Sequence, residues 1–150
     1  MKNNLLIITG LLVIFHSAAS AQSSKAQLGV IINSPTGISG KVWLDARNAF
    51  DGAFGWSIAE NSSIYFHTDF LRHHFDMFSV EGGKLPLYWG VGAKFTGAHD
   101  FFMGIRVPLG ASYIYGDSLF DVFFEIVPFI NVTPDPVFSL DGAIGFRLFL

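Results

Sequence analysis

The chain has 150 residues, enough for one domain, with 51% hydrophobic residues, only 14% charged residues and a formal net charge of −3. That little charge does not cover the surface of a soluble domain of this size, and the surplus lies in 17 Phe and 16 Gly. The absence of cysteine excludes a disulfide framework, a thiol nucleophile, a thiolate metal site and lipid attachment at an N-terminal Cys.

Lys2 precedes an apolar run, Leu5 to Phe15, broken only by Thr9 and Gly10, and Ala19-Ser20-Ala21 has the small-x-small form of a cleavage site. Residues 1–21 therefore read as an export signal, cleaved after Ala21, and 22–150 as one domain. The run is too short for a comfortable membrane helix, and no later segment offers one, so any membrane entry must use strands. Removing one of nine basic residues and no acid leaves a net charge of −4 without a basic patch, which argues against a nucleic-acid partner.

Eight alternating segments follow. The first runs from Ala26 to Asn33, and the second, beyond the turn Ser34-Pro35-Thr36-Gly37, from Ile38 to Asp45. The third spans Phe50 to Ile58 and the fourth Ile64 to about Arg72, after Glu60-Asn61-Ser62-Ser63. The fifth covers Leu85 to Phe95 and the sixth Phe101 to Tyr115. The seventh covers Leu119 to Ile130, after Gly116-Asp117-Ser118. The eighth is Phe138 to Leu150, reached through Pro134 and Pro136. The long connection from His73 to Lys84 is read as an extended hairpin with its turn at Gly82-Gly83. No segment has a helical period, and short strands with a turn signal at each junction predict an all-β fold.

The last segment shows the pattern most clearly. Phe138, Leu140, Ile144, Phe146, Leu148 and Leu150 share one phase, while Ser139, Asp141, Ala143, Gly145 and Arg147 share the other. A free edge here would expose a long apolar strand, so closure onto the first strand is expected. Earlier segments repeat the division. Phe50, Phe54 and Trp56 oppose Asp51, Ala53 and Gly55. Ile64, Phe66 and Phe70 oppose Tyr65, His67 and Asp69. Phe101, Met103, Ile105 and Val107 oppose Gly104 and Arg106, and Val122, Phe124 and Ile126 oppose Asp121 and Glu125. Eight closed strands enclose only enough space for side chains. Large residues at most inward positions would overfill it, so the large faces are predicted to point outward. The expectation is a closed eight-stranded antiparallel transmembrane β-barrel, apolar outside, with a polar, side-chain-filled lumen.

The residues expected inside are Lys41, Asp45, Asp51, His67, Asp69, Lys94, Arg106, Asp121, Glu125, Asp141 and Arg147. Of these, Lys41, Asp69, Lys94, Arg106, Asp121, Glu125, Asp141 and Arg147 form the proposed lumen charge network. Unpaired charges in so narrow a space are costly, so paired ions that plug the barrel are expected, and no open channel.

The signal, the alternation and the ending Ile144-Gly145-Phe146-Arg147-Leu148-Phe149-Leu150 resemble the small eight-stranded outer-membrane barrels of OmpA/OmpX architecture. Leu85-Pro86-Leu87-Tyr88-Trp89-Gly90 and Arg106-Val107-Pro108-Leu109-Gly110 are similar to a family of bacterial barrels without an established activity. The resemblance implies a bacterial outer-membrane location, lipid as the surrounding partner, and engagement of the assembly machinery by the C-terminal strand. Those barrels usually end in an outward aromatic residue. Here Leu150 takes that place and Phe149 is out of phase.

Chemistry was weighed against structure at each candidate. His67 and Asp69 beside Tyr65 suggest a hydrolase, but Thr68 faces the other way, which breaks a nucleophile–base arrangement. His73-His74 with Asp76 and Glu81 suggest a metal, but adjacent strand histidines diverge, and an interfacial turn is the reading adopted. Asn61-Ser62-Ser63 is a chance sequon. Trp56, Tyr113 and Tyr115 fit an interfacial aromatic girdle. The chain is thus read as a non-enzymatic structural or surface-interaction barrel, without cofactor or metal and with its surface ligand unknown. The rival readings are an exported soluble barrel with inward Phe and a hydrophobic ligand, and a lipid-modifying outer-membrane enzyme.

Overall fold

The computed structural model describes residues 25–33, 36–57, 63–97 and 100–150. The predicted signal with its cleavage after Ala21, Ser34-Pro35, Ile58 to Ser62 with the start of the sequon, and Ala98-His99 lie outside the described residues.

The strands are Ala26–Ile32 (β1), Gly37–Trp43 (β2), Asn48–Ser57 (β3), Ser63–His74 (β4), Gly83–Lys84 (β5), Leu87–Gly97 (β6), Phe101–Arg106 (β7), Leu109–Tyr115 (β8), Phe120–Thr133 (β9) and Val137–Phe149 (β10). All pairings are antiparallel, and the described residues contain no helix. β10 pairs with β9 on one side and, over Ile144 to Phe149, with β1 on the other, so the terminal half of the apolar last strand is covered on both edges.

Proline marks two breaks. The predicted fifth strand starts at Leu87 (β6), with Gly83–Lys84 (β5) a separate short strand before Leu85-Pro86, and the predicted sixth is split into β7 and β8 at Val107-Pro108. Proline has no N–H to give the ladder. Its carbonyl still accepts, from the Ser112 N–H at Pro86 (3.1 Å) and from the Gly90 N–H at Pro108 (2.9 Å). The pairs Lys84↔Ile114, Leu87↔Ala111 and Gly92↔Arg106 keep one register through both breaks. Counted across the breaks, the sheet is a ring of eight strands.

The extended hairpin at Gly82-Gly83 is corrected. β4 ends at His74, opposite Leu87, and Gly83–Lys84 pairs with β8 instead of continuing β4. The chain leaves the ladder because Pro86 cannot donate and Gly82 turns it at φ +77°. An Arg47–Asp76 ion pair of 2.9 Å ties this link to the β2–β3 turn.

Burial follows the period of two around the ring. Phe101, Ile105, Phe124 and Phe146 are 62%, 56%, 53% and 39% exposed on the outer face, whereas Arg106 and Arg147 are 1% exposed and Asp121 0%. The soluble-carrier reading needed those phenylalanines inside, and this placement overturns it. The inner face is less uniformly small than expected. Ile31, Leu71, Ile114, Phe123, Val127 and Phe129 are buried there with the charges. They fit because small residues stand beside them: Phe123 lies over Gly145, where an added Cβ would come within 2.2 Å of its ring.

Candidate functional site

The interior side chains form three groups of ion pairs, one around Arg106, one around Arg147 and Lys41, and the pair Lys94–Asp141, and strand register explains how. Asp51 of β3 stands opposite Asp69 of β4, which stands opposite Gly92 of β6, which stands opposite Arg106 of β7. Two carboxylates in direct register repel. A side chain at 92 would also occupy the Asp69 carboxylate, since an ideal Cβ falls 1.9 Å from its Oδ1. Glycine leaves room for the Arg106 guanidinium to cross one strand. Its Nε lies 3.1 Å from Asp69 Oδ2, and its Nη2 donates to Glu125 Oε1 at 3.0 Å. The device recurs at Gly29 of β1, between Arg147 and Ser39. Arg147 Nε donates to Ser39 Oγ at 2.9 Å and its Nη2 to Asp51 Oδ2 at 2.8 Å, with the guanidinium 3.9 Å from the Phe123 ring centroid. One arginine is thus assigned to each of the two facing aspartates.

Lys41 Nζ donates to Asp121 Oδ2 at 3.2 Å and lies 3.3 Å from His73 Nε2, while Ser112 Oγ donates to Asp121 Oδ1. Lys94 pairs with Asp141 at 2.7 Å and sits 3.7 Å from the Phe129 ring centroid. Tyr88 donates to Glu125 Oε2 at 3.1 Å. Of the eight residues proposed for the charge network, Lys41, Asp69, Arg106, Asp121, Glu125 and Arg147 are buried, with Asp51 and His67 among them, while Lys94 and Asp141 are half-buried and pair with each other. Among the described residues these pairs comprise four cations (Lys41, Lys94, Arg106, Arg147) and five carboxylates (Asp51, Asp69, Asp121, Glu125, Asp141).

Asp45 is the correction to the interior set. It lies in the exposed β2–β3 turn, where Oδ1 accepts the N–H groups of Arg47 and Asn48 (both 2.8 Å) and Oδ2 accepts from the Asn48 amide (2.7 Å). This is an Asx-type turn, and local hydrogen bonding outcompetes strand continuation at Trp43. The Asn48 side chain, and then the two backbone donors, hold the Asp45 carboxyl below its ordinary range.

His73 is the second correction. It is buried on β4 beside Lys41, not in a turn, because β4 runs two residues beyond the predicted Arg72. His74 faces the other way and accepts from the Trp89 indole at 3.2 Å. Of the three girdle residues, Trp56 and Tyr115 are exposed and Tyr113 half-buried. Phe149 shares the inward phase of Arg147 and lines a cleft at one end of the ring, which accounts for an aromatic out of phase with the outer face.

The reading from sequence omitted Tyr65, Tyr88, Ser39, Ser112 and His73 from the network. Their phase on each strand carried the signal, which was applied to charges only. Tyr65 is central: Arg106 Nη1 donates to its hydroxyl at 2.5 Å, and the hydroxyl lies 2.6 Å from His67 Nδ1. His67 Nε2 lies 3.7 Å from Asp69 Oδ2. Asp51, His67 and Asp69 bring ligand-type atoms within 4.8 Å of one another. Both carboxylates are already paired with an arginine, Asp51 with Arg147 and Asp69 with Arg106, which is the arrangement of an ion-pair lattice. Thr68 is exposed while His67 and Asp69 are buried, so no hydroxyl nucleophile is supplied at that position.

No protein-family model matches the chain, and no curated protein matches it. Among solved structures, the crystal structure of the N-terminal β-barrel domain of Pseudomonas aeruginosa OprF is similar, with a TM-score of 0.57 and 11% identity, covering 82% of this chain and 93% of that one. Likeness at this identity is likeness of fold: the chain has the architecture of a small β-barrel domain, the class that its strand pattern resembles.

Proposed function

We propose that the chain is an integral outer-membrane β-barrel protein of structural or surface-interaction type, whose lumen is closed by its own ion pairs and carries no open pore. The observation behind this reading is the inversion of faces: a continuous outer belt of Phe, Ile, Leu, Val and Trp around an interior of Arg, Lys, Asp and Glu. Water would penalise that belt, and acyl chains match it. The paired interior supports a plug over a channel, and the short β9–β10 turn holding Asp135 supports a small surface over a large adhesive one. Export through residues 1–21, a mature chain starting at Gln22, and recognition of β10 by the assembly machinery belong to the same proposal.

Expression in a Gram-negative host with fractionation and gel electrophoresis tests it. The protein should sediment with outer membrane, begin at Gln22 on N-terminal sequencing, and run as a faster compact band when unboiled. Reconstituted in planar bilayers, it should give no stable conductance. A soluble periplasmic product with no heat-modifiable band would remove the membrane reading, and reproducible channel steps would remove the plug.

A further inference from the structure

A second feature lies at the end of the ring where β1 starts and β10 finishes. The start of β1, the β2–β3 turn, the link between β4 and β5, and Phe149 border an open cleft of about 180 Å³. Trp43, Phe75, Ile114 and Phe149 form its apolar walls, and Lys25 and Lys84 stand exposed on it. Among the described residues neither lysine has a carboxylate within ion-pair distance. The one acid lining the cleft, Asp45, has both oxygens engaged by Arg47 and Asn48. Lys84 lies 5.9 Å from the Phe75 ring centroid, so its charge is held over the apolar wall. The Trp43 indole N–H is buried without an acceptor. The cleft therefore sets two ammonium groups and the single Asp45 carboxylate around an aromatic floor, which leaves its lining with one net positive charge.

We propose that this cleft binds a small monoanion with a compact apolar body, a carboxylate carried on one aromatic or branched aliphatic group. Size and chemistry both narrow the class. The volume, about 180 Å³, suits one ring and its acid and falls below the ~300 Å³ of sites for drug-sized ligands. A bare inorganic anion would leave the walls in water, and exposed lysines alone hold anions weakly. An apolar body adds the burial that makes such a contact specific. The inference rests on the cleft alone and holds whether or not the outer face meets lipid.

The test is a ¹⁹F NMR titration of the full chain in zwitterionic detergent with 3-(4-fluorophenyl)propionate, with its neutral amide as control. Saturable binding is expected for the acid and not for the amide. Lys25→Gln and Lys84→Gln should each weaken it roughly tenfold, the loss of one charge-assisted contact. Asp135→Asn, an exposed charge in the β9–β10 turn at the opposite end of the ring, should leave it unchanged. Both lysines are exposed, so the variants should keep the migration of the parent in unboiled gels. Equal affinity for acid and amide, parental affinity in the double lysine variant, or no saturation up to about 10 mM ligand would each overturn the proposal.

Discussion

Arg106 shows how a single residue organises the interior. Its three nitrogens reach Asp69, Glu125 and Tyr65 while the side chain is 1% exposed. Replacing it alone leaves two buried carboxylates without their partner, so Arg106→Met should lower stability by about 3–5 kcal/mol in urea unfolding from detergent or lipid. Removing the whole group, as Arg106→Met with Asp69→Leu and Glu125→Leu, should recover most of that loss, because the cost lies in stranded charge. A triple variant no more stable than the single one would show that these residues hold the fold through shape and not through charge. Gly92 belongs to the same argument. Gly92→Val places branched carbons where the Asp69 carboxylate lies and blocks the Arg106 bridge. It should cost at least as much as an overpacked core position, about 1–3 kcal/mol by the same measurement. Asp69 and Arg106 were legible as inward-facing charges from strand phase. Their partnership was not, since it depends on which two strands flank β6.

At the scale of an element, the β2–β3 turn is closed by one carboxylate. Asp45 is depressed by the Asn48 side chain first, then by the backbone N–H groups of Arg47 and Asn48. A depressed carboxylate contributes stability that is fully present above its unfolded pKa, about 3.9, and is lost as pH falls through the lower folded value. At neutral pH Asp45→Ala should therefore expose the Arg47 and Asn48 amides, seen as steeper NMR temperature coefficients. Parent and variant should begin to converge below about 3.9 and coincide once the pH has fallen through the lower folded value of Asp45. A difference that persists undiminished in acid would mean that the carboxylate is not the closing group. The sequence marked Asp45-Ala46-Arg47-Asn48 as a break, yet alternation carried Asp45 into the strand phase and hence into the interior set. Periodicity cannot report the residue at which side-chain-to-backbone bonding takes over. The interruptions at Pro86 and Val107-Pro108 have the same origin: phase continues through them, and only the ladder records the missing donors.

For the whole molecule, the two faces respond oppositely to charge. Phe124 lies mid-strand on the outer face, 53% exposed. In lipid, Phe124→Arg should cost about 2–4 kcal/mol, read as loss of the heat-modifiable form or a lower unfolding midpoint. On a ring standing in water, the same exchange at an exposed site would stay within about 0.5 kcal/mol. A neutral outcome would therefore count against the membrane reading while leaving the ring intact. Closure itself needs no such test, because β10 pairs with β9 over Val137 to Leu148 and with β1 over Ile144 to Phe149.

By itself, the order of large and small residues determined that strands form, where most of them lie and which side of each faces which way. Those properties are local, since a period of two assigns a face residue by residue. Only the tertiary structure decided which charges meet, because Arg106 reaches Asp69 across Gly92 and Arg147 reaches Asp51 from the other side of the ring. It also decided that Phe123 and Phe129 could go inside. The space left by Gly145 is a property of neighbouring strands, and no single strand encodes it.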